Sequence, residues 1–271
     1  MKILFDLGGS HFRIGVSEDG KSLSAFESFA TPKTCEAVLD MLDHAITDAS
    51  RRGTLDAISG GIAGVLDQEG TVLRSPHLAF CEGKAIGTLL KEKWNCPVYL
   101  ENDAALAGLA EAREGAGRGH PIVAYLTVST GVGGARIVDG RIDKKSVGFE
   151  PGHQIINREN AETLEMCVSG SAFRSRYGKE PKEILDQEVW DTAARDLALG
   201  IHNTILHWSP DVVVLGGPMI LGEPAISLLA IEENLTGMMK IFPKVPPLRK
   251  ALLAEKAGLM GALFAHVGLT K

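Results

Sequence analysis

The stretch ILFDLGGSHFRIGVSEDG (residues 3–20) shares its plan with AYLTVSTGVGGARIVDG (residues 124–140) in the second half of the chain. Each consists of an apolar strand, a polar residue with a Gly-rich turn, a second strand, and an Asp-Gly turn of the kind that closes hairpins. Around both copies, further strand-like apolar runs alternate with longer helical patterns. The sequence therefore predicts an α/β protein that uses one strand-turn-strand device twice.

The Gly-rich turns of this device are candidate phosphate sites. Glycine lets backbone N–H groups approach an anion without interference from a Cβ atom. Two such turns that face each other across a cleft would cradle a polyphosphate, and VVVLGG (residues 212–217) supplies a further glycine pair. Two plain hairpins are the alternative. The pattern is neither a P-loop, since no G-x-x-x-x-G-K-[ST] occurs, nor a dinucleotide fingerprint, since the first glycines lead into a strand.

Composition excludes several classes of function. The 271 residues are 45% hydrophobic and 23% charged, with a formal net charge of -6 and no basic run, so we expect no nucleic-acid partner. MKILFDLGGS enters a strand without an apolar leader and no apolar stretch reaches the length of a membrane span, so we expect a cytoplasmic protein without membrane contact. The four scattered cysteines predict reduced, mostly buried thiols.

A second stretch, VYLENDAALAGLAEAREGAG (residues 98–117), places three polar residues where a strand gives way to a helix. Asn and Asp are preferred helix caps, and an acidic residue there suits the positive end of the helix dipole. Capping explains one of Glu101, Asn102 and Asp103. The same position, at the end of a strand in an α/β sheet, is also where ligands usually bind. Both interpretations remain open on the residues alone.

A series of motifs spans nearly the whole chain. It comprises DLGGS (6–10), GGIAGVLD (60–67), SPHL (75–78), END (101–103), STGVGGA (129–135), EPGH (150–153), LEMCVSGSA (164–172) and PDVVVLGGP (210–218). In order and spacing the series resembles the ROK sugar kinases, members of the actin-like, hexokinase-like ATPase group. The resemblance implies two actin-like, ribonuclease H-like α/β domains that flank a deep cleft. It predicts a smaller N-terminal domain over residues 1–105, joined by a C-terminal helix over 253–271, and a larger domain over 106–252.

The resemblance also implies a role for each motif. In such kinases a carboxylate takes the proton of a sugar hydroxyl as its oxygen attacks the γ-phosphorus of ATP, and here that group is Asp103. Asp6 would orient hydrated Mg²⁺. The implied sugar contacts are Asn102, Glu150, His153 and Glu165. The implied contacts to ATP are Gly8, Gly9 and Ser10 on one side, Thr130, Gly131 and Gly133 on the other, and Gly216 and Gly217 near the adenosine. The family's usual state is a homodimer.

Two departures from the family pattern bear on function. Many members carry C-x-C-G-x-x-G-C after E-x-G-H, where three cysteines and the histidine hold zinc; this chain has QIINRENAETLEMCVSG, so we expect no structural zinc. The usual Pro-Asn-Leu is Pro76-His77-Leu78, which places an imidazole in the implied sugar pocket. An ATP-dependent kinase for a hexose or N-acetylhexosamine is the leading hypothesis. A catalytically weak sugar-binding or regulatory protein, and an actin-like phosphotransferase with a non-sugar substrate, are the alternatives.

Overall fold

The computed structural model describes residues 1–265 of the chain. Its first part opens with three strands, and strands and helices then alternate. In chain order the elements are β1 (Lys2–Leu7), β2 (His11–Ser17), β3 (Ala25–Ala30), α1 (Cys35–Ser50), β4 (Ala57–Ile62), β5 (Val65–Leu66), β6 (Val72–Arg74), α2 (Ile86–Trp94), β7 (Val98–Asn102) and α3 (Asp103–Glu114). A single 3₁₀ turn, Ala79–Cys81, interrupts the segment between β6 and α2.

The later part of the chain repeats the opening strand pattern and adds more helices. Its elements are β8 (Ile122–Val128), β9 (Val132–Val138), β10 (Arg141–Ile142), β11 (Ile155–Asn157), β12 (Glu162–Thr163), α4 (Leu164–Val168), α5 (Gly170–Tyr177), α6 (Gln187–Trp208), β13 (Val212–Gly216), α7 (Pro218–Leu221), α8 (Leu228–Met238), β14 (Leu248–Lys250) and α9 (Ala257–Ala265). Short 3₁₀ turns cover Pro151–His153, Pro181–Glu183 and Ala254–Lys256.

The two five-stranded sheets have the same topology. Their strand orders are β3-β2-β1-β4-β7 and β10-β9-β8-β13-β14. In each, a central strand forms an antiparallel hairpin with the next strand in sequence and pairs in parallel with a later strand on its other side. The two copies of the sequence device are thus the hairpins β1–β2 and β8–β9 at equivalent places. This confirms the predicted α/β fold with two related units.

The chain divides into two compact units. Of the described residues, the first contains 1–110, 145–148 and 255–265, and the second contains 111–144 and 149–254. Helix α3 therefore begins in the first unit and ends in the second. Of the C-terminal helix expected over residues 253–271, α9 accounts for Ala257–Ala265, after a 3₁₀ turn. Residues 266–271 lie outside the described residues.

The core of the first unit forms where helices cover its sheet. Helix α1 packs against β1 and β2, and α2 packs against β7. Thr34 caps α1 by accepting a bond from the N–H of Ala37, and apolar residues at helical spacing on α1 are buried. Helix α9 covers β1 and β4, where the buried hydroxyl of Ser59 donates to the carbonyl of Ala262 at 2.6 Å. Small residues on α9 make this close approach possible.

The core of the second unit surrounds the long helix α6. This helix packs against α8, α4 and β8, and its buried face is rich in small and aliphatic residues. Asp186 caps its N-terminus by accepting from the N–H of Glu188. Within residues 1–265, no helix combines the length and the apolar character that crossing a bilayer requires.

Candidate functional site

Three parallel strands of the first sheet end level with one another. Leu7 at the end of β1 pairs with Ile62 at the end of β4, and Ile62 pairs with Asn102 at the end of β7. The segments that follow, which begin at Gly8, Ala63 and Asp103, therefore leave the sheet from the same edge. The carboxyl edge of parallel strands is the usual ligand-binding edge of α/β sheets.

The residues Glu101, Asn102 and Asp103 at this edge make different hydrogen bonds. The side-chain oxygen of Asn102 accepts from the N–H of Ala105 at 3.0 Å, so Asn102 is the residue that caps α3. Its Nδ2 also donates to the carbonyl of Gly64 at 3.1 Å. Asp103 is the first residue of α3, and its Oδ1 accepts from the N–H of Ala104 at 2.9 Å. Capping therefore accounts for Asn102 and does not require Asp103.

Glu101, the remaining residue of the triplet, forms an ion pair with Lys145. Its carboxylate accepts from the Nζ of Lys145 at 2.5 Å, and both side chains are mostly buried. Its other oxygen accepts from the N–H of Asn102 at 2.7 Å. Asp103, the other carboxylate of the triplet, is the first residue of α3. A Cβ on Gly61 would lie 3.1 Å from the Cα of Asp103, so the start of α3 lies tight against β4.

His77 lies beside the first Gly-rich turn. A Cβ atom on Gly9 would come within 2.8 Å of the Cβ of His77, so a larger residue at position 9 would displace the imidazole. The turn that carries His77 is held by Ser75, whose hydroxyl donates to the carbonyl of Ala63 and accepts from the N–H of Leu78. His77, Gly9, Asn102 and Asp103 thus belong to the same edge of the first unit. Sequence position alone could not join residue 77 to residue 9.

Asp6 lies near the end of β1, two residues before the Gly-rich turn. Its Oδ2 accepts from the Nη1 of Arg13 on the neighbouring strand at 3.1 Å. Burial raises the pKa of Asp6, and the charge of Arg13 opposes that rise. Gly258 on α9 lies against this carboxylate, since a Cβ there would be 2.6 Å from the carboxyl carbon. The ion pair with Arg13 was not anticipated from the sequence.

The Gly-rich turn of the second unit is closed by its own backbone. The N–H of Ser129 donates to the carbonyl of Gly131 at 2.8 Å, and the carbonyls of Ser129 and Thr130 accept from the first residues of α5. Gly133 follows in β9. Thr130 and Gly131 thus lie in a tight turn between β8 and β9. This turn is equivalent to the turn between β1 and β2 that contains Gly8 and Gly9 in the first unit.

The glycine pair after β13 requires glycine for steric reasons. Gly217 has φ +87, and a Cβ there would lie 2.2 Å from the carbonyl oxygen of Val128. A Cβ on Gly216 would lie 2.7 Å from the hydroxyl of Tyr125. Since Gly216 pairs with Thr127 in β8, both glycines lie next to the end of the β8 strand. The sequence alone did not reveal these contacts.

A cavity of about 250 Å³ lies beside the Gly-rich turn between β8 and β9, and all of its lining residues belong to the second unit. It is lined by the turn itself, by the start of α5 and the segment that follows it, and by the segment after β13. The lining residues are Ser129, Thr130, Gly170, Arg174, Glu180, Pro181, Lys182, Pro218, Met219, Gly222, Glu223 and Pro224. Thr130 was predicted as an ATP contact, and Ser129, Gly170 and Pro218 lie in the motif series. The other lining residues were not identified from the sequence, because they lie outside those motifs.

The motifs E-x-G-H and LE lie close together in the second unit. Glu150 precedes the 3₁₀ turn Pro151–His153, and Glu165 lies in the first turn of α4. Glu150 is exposed as a whole, but partial burial of its carboxyl group raises the pKa of that group. The nearby charge of His153 lowers the pKa of Glu150, and that of Glu165 raises it. The Oε2 of Glu165 accepts from the N–H of Val132 at 2.7 Å. Three of the predicted sugar contacts, Glu150, His153 and Glu165, therefore lie in one neighbourhood.

The segment that follows His153 forms the two-stranded sheet β11–β12. Within residues 1–265, no group of three or more His, Cys, Asp or Glu side chains has an arrangement that could hold a metal ion. Instead, Glu162 accepts from Arg176 at 3.3 Å and from Asn157 at 3.4 Å. These hydrogen bonds connect residues of the β11–β12 segment, where the zinc-binding pattern described above would place cysteines.

We predict that the protein folds and functions without zinc. Structural zinc sites normally require four Cys or His ligands, and oxygen ligands substitute poorly for them. Treatment with a strong chelator, followed by restored Mg²⁺, should leave the melting temperature and any activity unchanged. Elemental analysis should find far less than one zinc per chain. Stoichiometric zinc would contradict the prediction and would place the role of Glu165 in question.

Comparison with known proteins gives matches along nearly the full length. The family model described as "ROK family" matches residues 3–266. The N-acetyl-D-glucosamine kinase of Escherichia coli O6:H1 is 27% identical over 299 residues, which cover 97% of this chain and 98% of that protein. The crystal structure of a ROK hexokinase from Thermus thermophilus is 31% identical, with a TM-score of 0.82, covering 100% of this chain and 99% of that one.

The fold is also found in a protein of another class. A ROK family transcriptional regulator, a homologue of the E. coli MLC protein, matches with a TM-score of 0.83 at 18% identity, covering 98% of this chain and 78% of the regulator. The fold is therefore shared by kinases and a regulator. Taken with the family match over residues 3–266 and the repeated five-stranded sheets, these findings establish that the chain belongs to the ROK family.

Proposed function

We propose that this protein transfers the γ-phosphoryl group of ATP to a hydroxyl of a hexose or N-acetylhexosamine, with Asp103 as the general base. The observation that carries the proposal is the position of Asp103. It is the first residue of α3, at the strand edge that also holds the Gly8-Gly9 turn and His77, while Asn102 serves as the cap. Asp103 is thus not needed to begin the helix.

The proposed reaction is an in-line displacement. The sugar hydroxyl gives its proton to the carboxylate of Asp103, and its oxygen forms a bond to the γ-phosphorus. The bond between that phosphorus and the β–γ bridging oxygen breaks, and ADP leaves with the electron pair. Phosphoryl transfer demands little covalent chemistry from the protein, so positioning and charge stabilisation carry most of the rate.

The cavity of the second unit suits the nucleoside part of the donor. Its charged lining residues are balanced, with Arg174 and Lys182 against Glu180 and Glu223, and Arg174 pairs with Glu180 at 3.2 Å. A lining of balanced charge favours an uncharged group such as a base or ribose over a chain of phosphates. The cavity lining includes Ser129 and Thr130, which belong to the turn proposed for the phosphates.

Lys182→Glu should raise the KM for ATP by roughly 3- to 10-fold and leave the KM for the sugar unchanged. The substitution turns a balanced lining into an acidic one, and an interaction between exposed charges is worth up to about 1 kcal/mol. Steady-state kinetics with each substrate varied in turn would measure this. Lys179→Glu, an exposed neighbour that does not line the cavity, is the matched control. Equal effects of the two substitutions would argue against the cavity as the donor site.

Asp6 is the residue that would hold Mg²⁺. Mg²⁺ retains several waters and commonly takes one or two protein carboxylates beside substrate phosphates, so a single carboxylate beside a phosphate turn fits it. Arg13 already occupies Oδ2, which suits contact through water more than a full protein cage. When bound with ATP, the ion would neutralise charge on the phosphates. Asp6 itself would orient the ion's water shell.

An assay of ATP consumption across candidate sugars tests the proposal directly. Glucose, fructose, mannose, N-acetylglucosamine and N-acetylmannosamine should include at least one substrate that is consumed with ADP release. A regulatory or sugar-binding protein is the second candidate, favoured by the regulator that shares the fold and by the imidazole of His77. Sugar binding without ATP consumption would support that second candidate. A homodimer, which light scattering would detect, stays a prediction.

A further inference from the structure

Gln154, the residue directly after E-P-G-H, makes hydrogen bonds to three separate segments. Its Nε2 donates to the carbonyl of Pro151 at 2.8 Å and to the carbonyl of Gly200 at 3.2 Å. Its own backbone carbonyl accepts from the N–H of Leu164 at 3.0 Å. Pro151 lies in the 3₁₀ turn beside Glu150, Gly200 lies in α6, and Leu164 is the first residue of α4. One residue thus joins the turn, the long helix and the short helix.

The partners of Gln154 are themselves held in place. Gly200 has no room for a side chain, because a Cβ there would lie 2.4 Å from the side chain of Leu164. Gly152 in the 3₁₀ turn lies similarly close to β9, since a Cβ would lie 2.1 Å from the carbonyl oxygen of Val132. The N–H of Val132 is bound by Glu165. The turn and α4 therefore both pack against β9 and α6, and Gln154 makes hydrogen bonds to the turn, to α6 and to α4.

The orientation of the amide follows from its partners. Two carbonyl oxygens face the same end of the side chain, so only the NH₂ group can satisfy them. The Oε1 of Gln154 is buried and has no hydrogen-bond partner among the described residues. The two donated bonds explain why an amide stands there.

We infer that Gln154 is a positioning residue, which sets the spacing between Glu150 and His153 on the turn and Glu165 on α4. The inference rests on the proposed function, in which these three side chains bind the sugar. Gln154 itself need not touch the sugar. Without the donor group of Gln154, the side chains of Glu150, His153 and Glu165 would remain but would be free to move apart. We expect this to weaken sugar binding specifically.

The test compares Gln154→Met, which keeps the length of the side chain and removes its hydrogen bonds, with Gln154→Asn, whose amide is too short to reach Gly200. Gln187→Met, an exposed glutamine at the start of α6, is the matched control. We expect Gln154→Met to raise the sugar KM by roughly 10- to 100-fold, with a smaller rise for Gln154→Asn. The KM for ATP should stay within about 2-fold of the wild type, because its proposed contacts are elsewhere.

Hydrogen exchange without any ligand gives a second readout that does not depend on activity. In Gln154→Met, amides of residues 150–154 and of α4 should exchange faster together, while those of α8 should not change. An unchanged sugar KM, an equal rise of both KM values, or unchanged exchange in these segments would overturn the inference. If the wild type phosphorylates no sugar but exchange rises in both segments, the proposed function fails and the coupling by Gln154 stands.

Discussion

Asp103→Asn should lower the turnover number by roughly 10²- to 10⁴-fold, the usual range for loss of a general base. The amide has the shape of the carboxylate but cannot accept a proton from the sugar hydroxyl at neutral pH. Its oxygen can still accept from the N–H of Ala104, as the Oδ1 of Asp103 does at 2.9 Å. Sugar affinity and the melting temperature should therefore remain close to those of the wild type.

Glu101→Gln provides the matched control for this experiment. Glu101 is an acidic neighbour in the same triplet, but it is paired with Lys145. Its substitution should affect stability more than turnover. Single-turnover kinetics would separate the chemical step from product release in both variants. Turnover of Asp103→Asn within a few-fold of the wild type would exclude Asp103 as the base and would leave it a residue of the helix terminus alone.

Glu111→Gln should destabilise the second unit by about 2–4 kcal/mol, because Glu111 is a fully buried carboxylate that holds three backbone groups. One oxygen accepts from the N–H groups of Leu252 and Leu253 at 2.9 and 2.7 Å, and the other accepts from the N–H of Ala116 at 2.8 Å. An amide retains one acceptor and turns the other into a donor that faces an N–H. At least one buried donor is then left unpaired.

Thermal and urea unfolding would measure this loss. Glu114→Gln, three residues along the same helix and exposed, is the matched control and should change stability by less than about 0.5 kcal/mol. Glu111→Ala, which removes both oxygens, should be worse than Glu111→Gln. Equal stability of Glu111→Gln and Glu114→Gln would contradict the assigned role. Sugar and ATP KM values of the folded Glu111→Gln protein should change little, because Glu111 is not among the proposed ligand contacts.

The repeated hairpins could be predicted from the sequence because their signals are local. Strand patterns and Gly-rich turns act over a few residues, and the hairpins β1–β2 and β8–β9 both form in the structure as predicted. Asp139-Gly140 directly joins β9 to β10, whereas Asp19-Gly20 lies in the longer connection between β2 and β3. The motif series likewise identified the family. The sequence also indicated that one residue of Glu101-Asn102-Asp103 caps the helix. It could not say which, because the choice depends on the carbonyl of Gly64, 38 residues away, which holds Asn102 in the capping position.

Most of the cavity lining and the connections of Gln154 could not be predicted from the sequence for the same reason. Pro181 and Pro224 line one cavity although more than 40 positions separate them in the chain, and neither belongs to a motif. The absence of the cysteine pattern was evident from the sequence. The hydrogen bonds that join Gln154 to Gly200, 46 residues away, were not, since neither residue carries a signal for the other.

The sequence by itself determined the fold class, the two Gly-rich turns and the order of the motifs, because glycine, capping residues and strand periodicity act on neighbouring residues. Tertiary structure alone decided that Asn102 is the cap, that His77 lies against Gly9, and that Glu111 binds the N–H groups of Leu252 and Leu253, 141 and 142 residues away. Buried polar groups must find partners wherever the folded chain brings a donor or an acceptor. That choice depends on the packing of whole units and not on any local pattern.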